Sequence, residues 1–280
     1  MDEKITANKK KKLIEGLKEL PSLIIAFSGG VDSTFLLAAA FEALGRNVTA
    51  VTASSIVHPE KDRERALKFA GELGVEHIII ESDEIERAEF YTNPPDRCYH
   101  CKKIICEELK QIAMEKGIDH IAHAVNKDDL GDYRPGIRAA EEMGIMAPLV
   151  EAGLNKDEIR FLSKEMNLAT WDKPAMACLA SRIPYGEIIT KEKIEMIARA
   201  ENYLAEDGFK QYRVRYHGTV ARIEVGIDDI SRFMDKDFRD KYIARFKEIG
   251  FRHIALDLEG FLSGSMNRDL EGLLENDNES

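Results

Sequence analysis

The first half of the chain alternates between two periods. Ser22–Phe27 (SLIIAF) is a short continuous apolar run, the pattern of a strand buried on both faces. VDSTFLLAAAFEALG follows at helical spacing and ends at Gly45, a glycine placed to close a helix. Val48–Ala53 (VTAVTA) predicts the next strand, KDRERALKFAGELG a helix and EHIIIES a third strand. A helix is expected from about Lys102 to Lys116, then a strand in HIAHAVN, a short helix and the run IMAPLV. NKDEIRFLSKEM opens with Asn155 and Glu158 at the spacing of a reciprocal helix cap. Lys9–Lys12 predict a solvated helix start, and the acidic tail LLENDNES a frayed end. Strands alternating with helices imply an α/β fold with a parallel sheet covered by helices.

After about Ser181 the pattern changes. KEKIEMIARAENYLAEDG is helical, QYRVRYHGTVARIEVG predicts two strands joined near Gly218, and a further helix leads to RHIALDLEGF. Pro184 and Gly186 punctuate the change. The expected organisation is a first domain at 1–182 and a smaller C-terminal α+β domain at 183–280. The 280 residues suit about two domains at ~150 each.

Composition narrows the class. With 44% hydrophobic and 32% charged residues the chain has a globular protein's balance, and no apolar run reaches the ~18–20 residues of a membrane helix. The N-terminus has no apolar signal region, so a cytoplasmic location without membrane contact is expected. A net charge of −11, with only local basic clusters, weighs against nucleic acid as partner and favours a small molecule. In a reducing compartment the four cysteines point to metal, catalysis or packing before disulfides.

The densest chemistry lies in LIIAFSGGVDST. Gly29 and Gly30 let backbone approach a ligand, and the amides opening the following helix attract phosphate. Ser28, Ser33 and Thr34 add hydroxyls, and Asp32 is placed to hold Mg2+ on the phosphates. No Gly-Lys-Ser/Thr follows, so this is not a Walker loop. The bland alternative is a tight strand–helix turn. Cys98 and Cys101, in PPDRCYHCKK, fit zinc, a redox pair, sulfur handling or plain packing. Cys106 has the spacing of buried filler and Trp171 of packing near the site. Arg213 and Arg215 share one face of a strand, with Arg222 on the next, and suit phosphate or carboxylate; the alternative is a solvated face with ion pairs. Glu195 and Asp228 are weaker candidates beside them.

SGGVDS after a first parallel strand resembles the PP-loop of the N-type ATP pyrophosphatases. Three further segments, NKDDLGDYRPGIRAA, WDKPAMACLASRIPYG and ALDLEGFLSGSMN, make the chain resemble the LarE family nearly end to end. Two departures show. Ala124–Val125 stand where Gly-Thr is expected before Asn126, and Leu262 stands where an arginine is expected. The resemblance implies a PP-loop fold and an ATP-dependent sulfur transferase acting on a pyridinium mononucleotide with two carboxylates. ATP would be cleaved between its α and β phosphates, and the carboxylate adenylated and then converted to a thiocarboxylate. It implies ATP and Mg2+ at Ser28, Gly29, Gly30, Asp32, Ser33 and Thr34, with Asp129 as a second metal contact (otherwise a helix-start charge), and Ser181 and Arg182 near the nucleotide. It puts Cys178, Asp32, Arg213 and Arg215 in the chemistry. In one branch of the family a lone cysteine at the Cys178 position gives up its own sulfur. Here Cys98, Cys101 and Cys178 imply a [4Fe-4S] cluster that passes inorganic sulfide or sulfur from another donor to the adenylate. The relatives imply a homo-oligomer. Competing readings are tRNA thiolation, amide formation from ammonia and a nucleotide-gated carrier without catalysis.

Overall fold

The computed structural model describes residues 2–131, 134–174 and 178–262. The chain divides into two compact units, Met1–Glu84 with Asp96–Met176, and Ile85–Pro95 with Ala177–Ser280. Ile85–Pro95, which the sequence pattern groups with the first half, thus belongs to the second unit.

α1 (Glu3–Lys18) starts well before the lysine cluster, because the Asp2 carboxylate caps it by accepting from the amides of Lys4 and Ile5 at 3.0 and 3.2 Å. Lys9–Lys12 lie mid-helix instead of at its start, with Lys9 paired to Glu158 and Lys10 to Glu42. β1 (Leu23–Ala26) leads into α2 (Val31–Leu44). Every residue from Val31 to Ala40 except Asp32 is buried, as expected of a helix that is apolar nearly all round. β2 (Val48–Ser54), α3 (Glu60–Leu73) and β3 (Glu76–Glu81) follow as the periodicity predicts. The short α4 (Ala88–Tyr91) falls in the second unit.

α5 (Arg97–Lys116) begins five residues before the predicted Lys102, one residue past Pro94 and Pro95, so the cysteine pair is helical. β4 is only Ile121–Ala122, shorter than HIAHAVN suggested; one parallel bridge from Ala122 to Met146 continues the sheet past it. α6 (Pro135–Glu142), α7 (Pro148–Glu151) and α8 (Lys156–Glu165) complete the unit. The sheet order is β3-β2-β1-β4 and all pairings are parallel. The order reverses at β1, where open α/β sheets bind ligands beyond the carboxyl ends of their strands. The loop after β1 stands there.

The second unit contains α9 (Lys191–Glu206), β5 (Tyr212–His217), β6 (Val220–Val225), α10 (Lys236–Ile249) and β7 (His253–Leu256). β5 and β6 form the predicted hairpin around Gly218, and β7 joins β6 in parallel. The helices cover this sheet through a core rich in aromatics, including Phe209, Phe233, Tyr242, Phe246 and Phe251. Asn93 ties Ile85–Pro95 into the unit. Its buried amide donates to the carbonyls of Ile183, Pro184 and Glu187. Among the described residues no helix is long and apolar enough to cross a membrane.

Candidate functional site

The SGGVDS loop is held from inside and outside. The Ser28 and Ser33 hydroxyls lie 3.0 Å apart, and Ser33 Oγ donates to the Gly30 carbonyl. Gly30 caps α2 without a side-chain bond, leaving the helix's first amides for a ligand. Gly29 needs to be glycine twice over. Its φ is +66°, and a Cβ there would meet the Asp62 carbonyl at 3.2 Å and the Ala66 Cβ at 3.3 Å. Lys173 clamps this contact, its Nζ donating to the Gly29 carbonyl at 3.1 Å and to Asp62 Oδ1 at 2.8 Å.

Asp32 Oδ2 accepts from Lys156 Nζ, while among the described residues Asp32 Oδ1 and Thr34 Oγ1 are buried and meet no hydrogen-bond partner. An unpartnered buried carboxylate oxygen beside free amides suits a divalent cation held with phosphates. Asp129 is occupied otherwise. Its Oδ2 accepts from the Asn126 amide at 3.0 Å and its Oδ1 pairs with Arg134 at 2.6 Å. Lys156, Lys173 and Asp62 are not singled out by sequence reasoning. The signals are present: Lys156 follows the Asn155 cap directly, and Lys173 lies in the WDKP segment.

Cys98 and Cys101 lie at the start of α5 at i, i+3 spacing, one exposed and one half-buried, neither in a disulfide. His100, between them, pairs with Asp96 at 3.3 Å. Cys106 is fully buried, and burial pushes its thiol pKa up against the opposing charge of Lys102. Among the described residues no three His, Cys, Asp or Glu side chains gather as a metal site. Cys178, the third expected ligand, is in the second unit, and Ala175–Ala177 before it lie outside the described residues.

Cys178 is half-buried, is not in a disulfide, and opens the helical turn Leu179–Arg182. Arg182 forks onto Glu201, with Nε to Oε1 at 2.7 Å and Nη2 to Oε2 at 3.0 Å, while its Nη1 donates to the Ser181 hydroxyl and the Cys178 carbonyl. Arg215 forks likewise onto Glu224 at 2.8 and 3.1 Å, and its Nη1 donates to the Ser181 carbonyl at 2.7 Å. The face is therefore not a solvated strand face: Arg182, Arg213 and Arg215 are all buried. Arg213 lies over the Phe261 ring at 4.7 Å and among the described residues has no carboxylate partner. Burial, then the charges of Arg182 and Arg215, pushes its pKa down to about 10. Burial opposes the charge of Arg182 as well, but Glu201, Cys178 and Glu224 together outweigh it and raise that pKa. The carboxylates beside the arginines are Glu201 and Glu224, which sequence spacing does not single out. Glu195 and Asp228 are exposed elsewhere in the unit. Trp171 is 38% exposed with the Lys164 ammonium over its ring. Leu262 is half-buried, and the SGSMN sequence after it, like the acidic tail, lies outside the described residues.

A family profile for NAD synthase matches residues 7–111. The chain is 38% identical over 265 residues to the pyridinium-3,5-bisthiocarboxylic acid mononucleotide synthase of Lactiplantibacillus plantarum, covering 94% of this chain and 95% of that protein. It is 41% identical over 252 residues to an uncharacterized protein of Synechocystis sp., covering 90% and 94%. Similarity to the glutamine-hydrolyzing GMP synthase of Aeropyrum pernix is lower, 27% over 202 residues, covering 66% of this chain and 39% of that protein.

Proposed function

The chain belongs to the LarE-like family of PP-loop ATP pyrophosphatases, and we propose that it adenylates a carboxylate of a pyridinium dicarboxylate mononucleotide and exchanges it for a thiocarboxylate. The observation that carries this reading is the placement of Cys178. Its helical turn is bonded to the buried Arg182 and Arg215, each paired to a glutamate, in the unit that also holds the buried Arg213, a setting for a sulfur atom beside an anion.

The chemistry follows from the residues. A carboxylate oxygen of the acceptor attacks the α-phosphorus of ATP, and pyrophosphate leaves with the electron pair of the broken P–O bond. The loop amides and the Ser28, Ser33 and Thr34 hydroxyls receive the phosphates. Asp32 would hold Mg2+, and its unpartnered Oδ1 fits that role; the cation would neutralise phosphate charge. Asp129 remains a second contact only if it exchanges Arg134 for the metal. Arg213, which has no ion-pair partner among the described residues, takes the phosphate or second carboxylate of the acceptor, with Arg182, Arg215 and Ser181 as its support. A sulfur nucleophile then bonds to the acyl carbon, and AMP departs with the electrons of the C–O bond.

Two sources of sulfur are distinguished by what supports them. Cys98 and Cys101, outside any disulfide and about one helical turn apart, suit thiolate ligation. Together with Cys178 they would hold a [4Fe-4S] cluster whose open iron supplies a site for inorganic sulfide. The setting of Cys178, a half-buried cysteine outside any disulfide on a turn bonded to arginines, supports the other source, Cys178 itself. Its sulfur would form a thioester with the acyl carbon. Loss of the Cα proton would then expel the thiocarboxylate and leave dehydroalanine. The test is turnover of oxygen-free protein with ATP, Mg2+, sulfide and the pyridinium dicarboxylate mononucleotide. The expected result is equal AMP and pyrophosphate with a thiocarboxylate product, abolished by Cys178→Ala. Iron bound through Cys98 and Cys101 with repeated turnover selects the cluster. A single turnover, with the protein lighter by the mass of hydrogen sulfide, selects Cys178. AMP formation that survives Cys178→Ala and responds to ammonia would overturn the proposal.

A further inference from the structure

Arg182 and Arg215 spend their N–H donors on glutamates, but Arg213 does not. Glu224 stands directly across the β5–β6 ladder from Arg213, yet its carboxylate is taken by Arg215 and, at 3.2 Å, by Arg222. Among the described residues the Arg213 side chain has no hydrogen bond or ion pair; its guanidinium carbon lies 4.7 Å from the centroid of the Phe261 ring. That ring is delivered by a locked turn after β7, in the ALDLEGF segment. The Asp257 amide donates to the Ile223 carbonyl at 2.8 Å, and Asp257 Oδ1 accepts from the Glu259 amide at 3.0 Å. Gly260 follows at φ +72°, where a Cβ would stand 2.8 Å from the Val225 carbonyl, so only glycine fits. The Phe261 amide then closes on that same carbonyl at 2.8 Å, and the chain rejoins β6 with the ring beside Arg213.

We propose that Phe261 is a positioning residue for anion recognition: its ring carries the Arg213 guanidinium, so that the N–H donors of that guanidinium stay unspent for the phosphate or second carboxylate of the acceptor. The inference rests on reading Arg213 as an acceptor contact and adds the residue that prepares it. A buried guanidinium needs a partner to hold it in place. A third glutamate would do so, but it would cancel the charge and compete with the incoming anion for the same donors. An aromatic face attracts the cation through its quadrupole and accepts none of the in-plane N–H bonds. The arginine is therefore held in position with its charge and its fork intact, which is the state that bidentate binding of an anion requires. Arg182 and Arg215, already forked onto glutamates, are not in that state.

The test is calorimetric titration of the pyridinium dicarboxylate mononucleotide into wild type, Phe261→Leu, Phe261→Tyr, Arg213→Ala and the variant carrying both Arg213→Ala and Phe261→Leu. Leucine keeps an apolar side chain and removes the ring; tyrosine keeps the ring. Phe261→Leu is expected to weaken binding by about tenfold and Phe261→Tyr to stay within about threefold of wild type. Because Phe261 acts through Arg213, Phe261→Leu should cost nothing further once Arg213→Ala is present. Circular dichroism spectra that match wild type report that the variants are folded. Wild-type affinity in Phe261→Leu, with binding lost in Arg213→Ala, overturns the inference and leaves the acceptor reading standing. So does a Phe261→Leu loss that persists in full beside Arg213→Ala, or one that Phe261→Tyr shares, since either makes the ring a matter of packing. Wild-type protein that does not bind the mononucleotide, or Arg213→Ala that binds it as wild type does, overturns both.

Discussion

Arg215 and Glu224 are almost sealed from water, with side-chain exposures of 4% and 2%. Such a pair contributes little net stability, because desolvation offsets its attraction; what it secures is geometry, since neither partner tolerates loss of the other. Arg182 and Glu201 repeat the arrangement nearby, and Glu201 also accepts the Val214 amide at 3.0 Å. Against these two balanced pairs the charge of Arg213 stands out. Single residues also set the acid limit of the fold. Burial, then the nearby Lys102 charge, pushes the pKa of His123 down to about 3, and its Nε2 meets no partner among the described residues. The folded chain keeps this imidazole neutral, while the unfolded chain protonates it near the ordinary histidine value of 6.5. Below that pH the unfolded state binds more protons, so stability falls from about pH 6.5 toward 3. The loss from this group between pH 7 and pH 5 is expected to reach about 2 kcal/mol. Urea unfolding at both pH values should show His123→Gln losing correspondingly less. His58 and His77, whose pKa values burial also lowers, supply a remaining slope of the same sign. Equal acid losses in wild type and His123→Gln would refute the assignment.

Among the elements, α8 shows how local sequence becomes site geometry. The cap residues Asn155 and Glu158 satisfy one another's backbone amides at 2.9 and 3.0 Å. Glu158 also receives Lys9 from α1, so the start of α8 is tied to the first helix of the chain. Asn155→Ala should cost about 1 kcal/mol in urea unfolding. Elements of this kind are legible in the sequence, since capping spacing, buried apolar runs and terminal glycines act within a few residues. The start of α5 is less so: the cysteines and the Asp96–Arg97 charges hide a helical turn that periodicity alone does not register. The apolar run around β4 overstates the strand, because such a run records burial and not ladder length; only two of its residues pair in the strand. The loop is readable from its glycines and hydroxyls, but Lys156 and Lys173 lie well over a hundred residues from their partners, beyond any local spacing. Glu201 and Glu224 escape for a different reason, as each reads alone as an ordinary polar position.

At the scale of the molecule, the second unit is not one stretch of chain. Asn93 is fully buried at φ +58° with three carbonyls of 183–187 on its amide, so Ile85–Pro95 is structural to that unit. A fragment of residues 177–280 alone is expected to lack stable structure by circular dichroism and to regain it when 85–95 is joined to it. A cooperative melt of the bare fragment would count against this. On the ribosome the same feature has a temporal meaning. Asn93 emerges 90 residues ahead of Ile183, a delay of roughly 5–18 s at synthesis rates of about 5–20 residues per second. Through that interval the first unit can acquire its sheet while the borrowed length of chain waits unpaired for its partners, so the order of manufacture differs from the order of assembly.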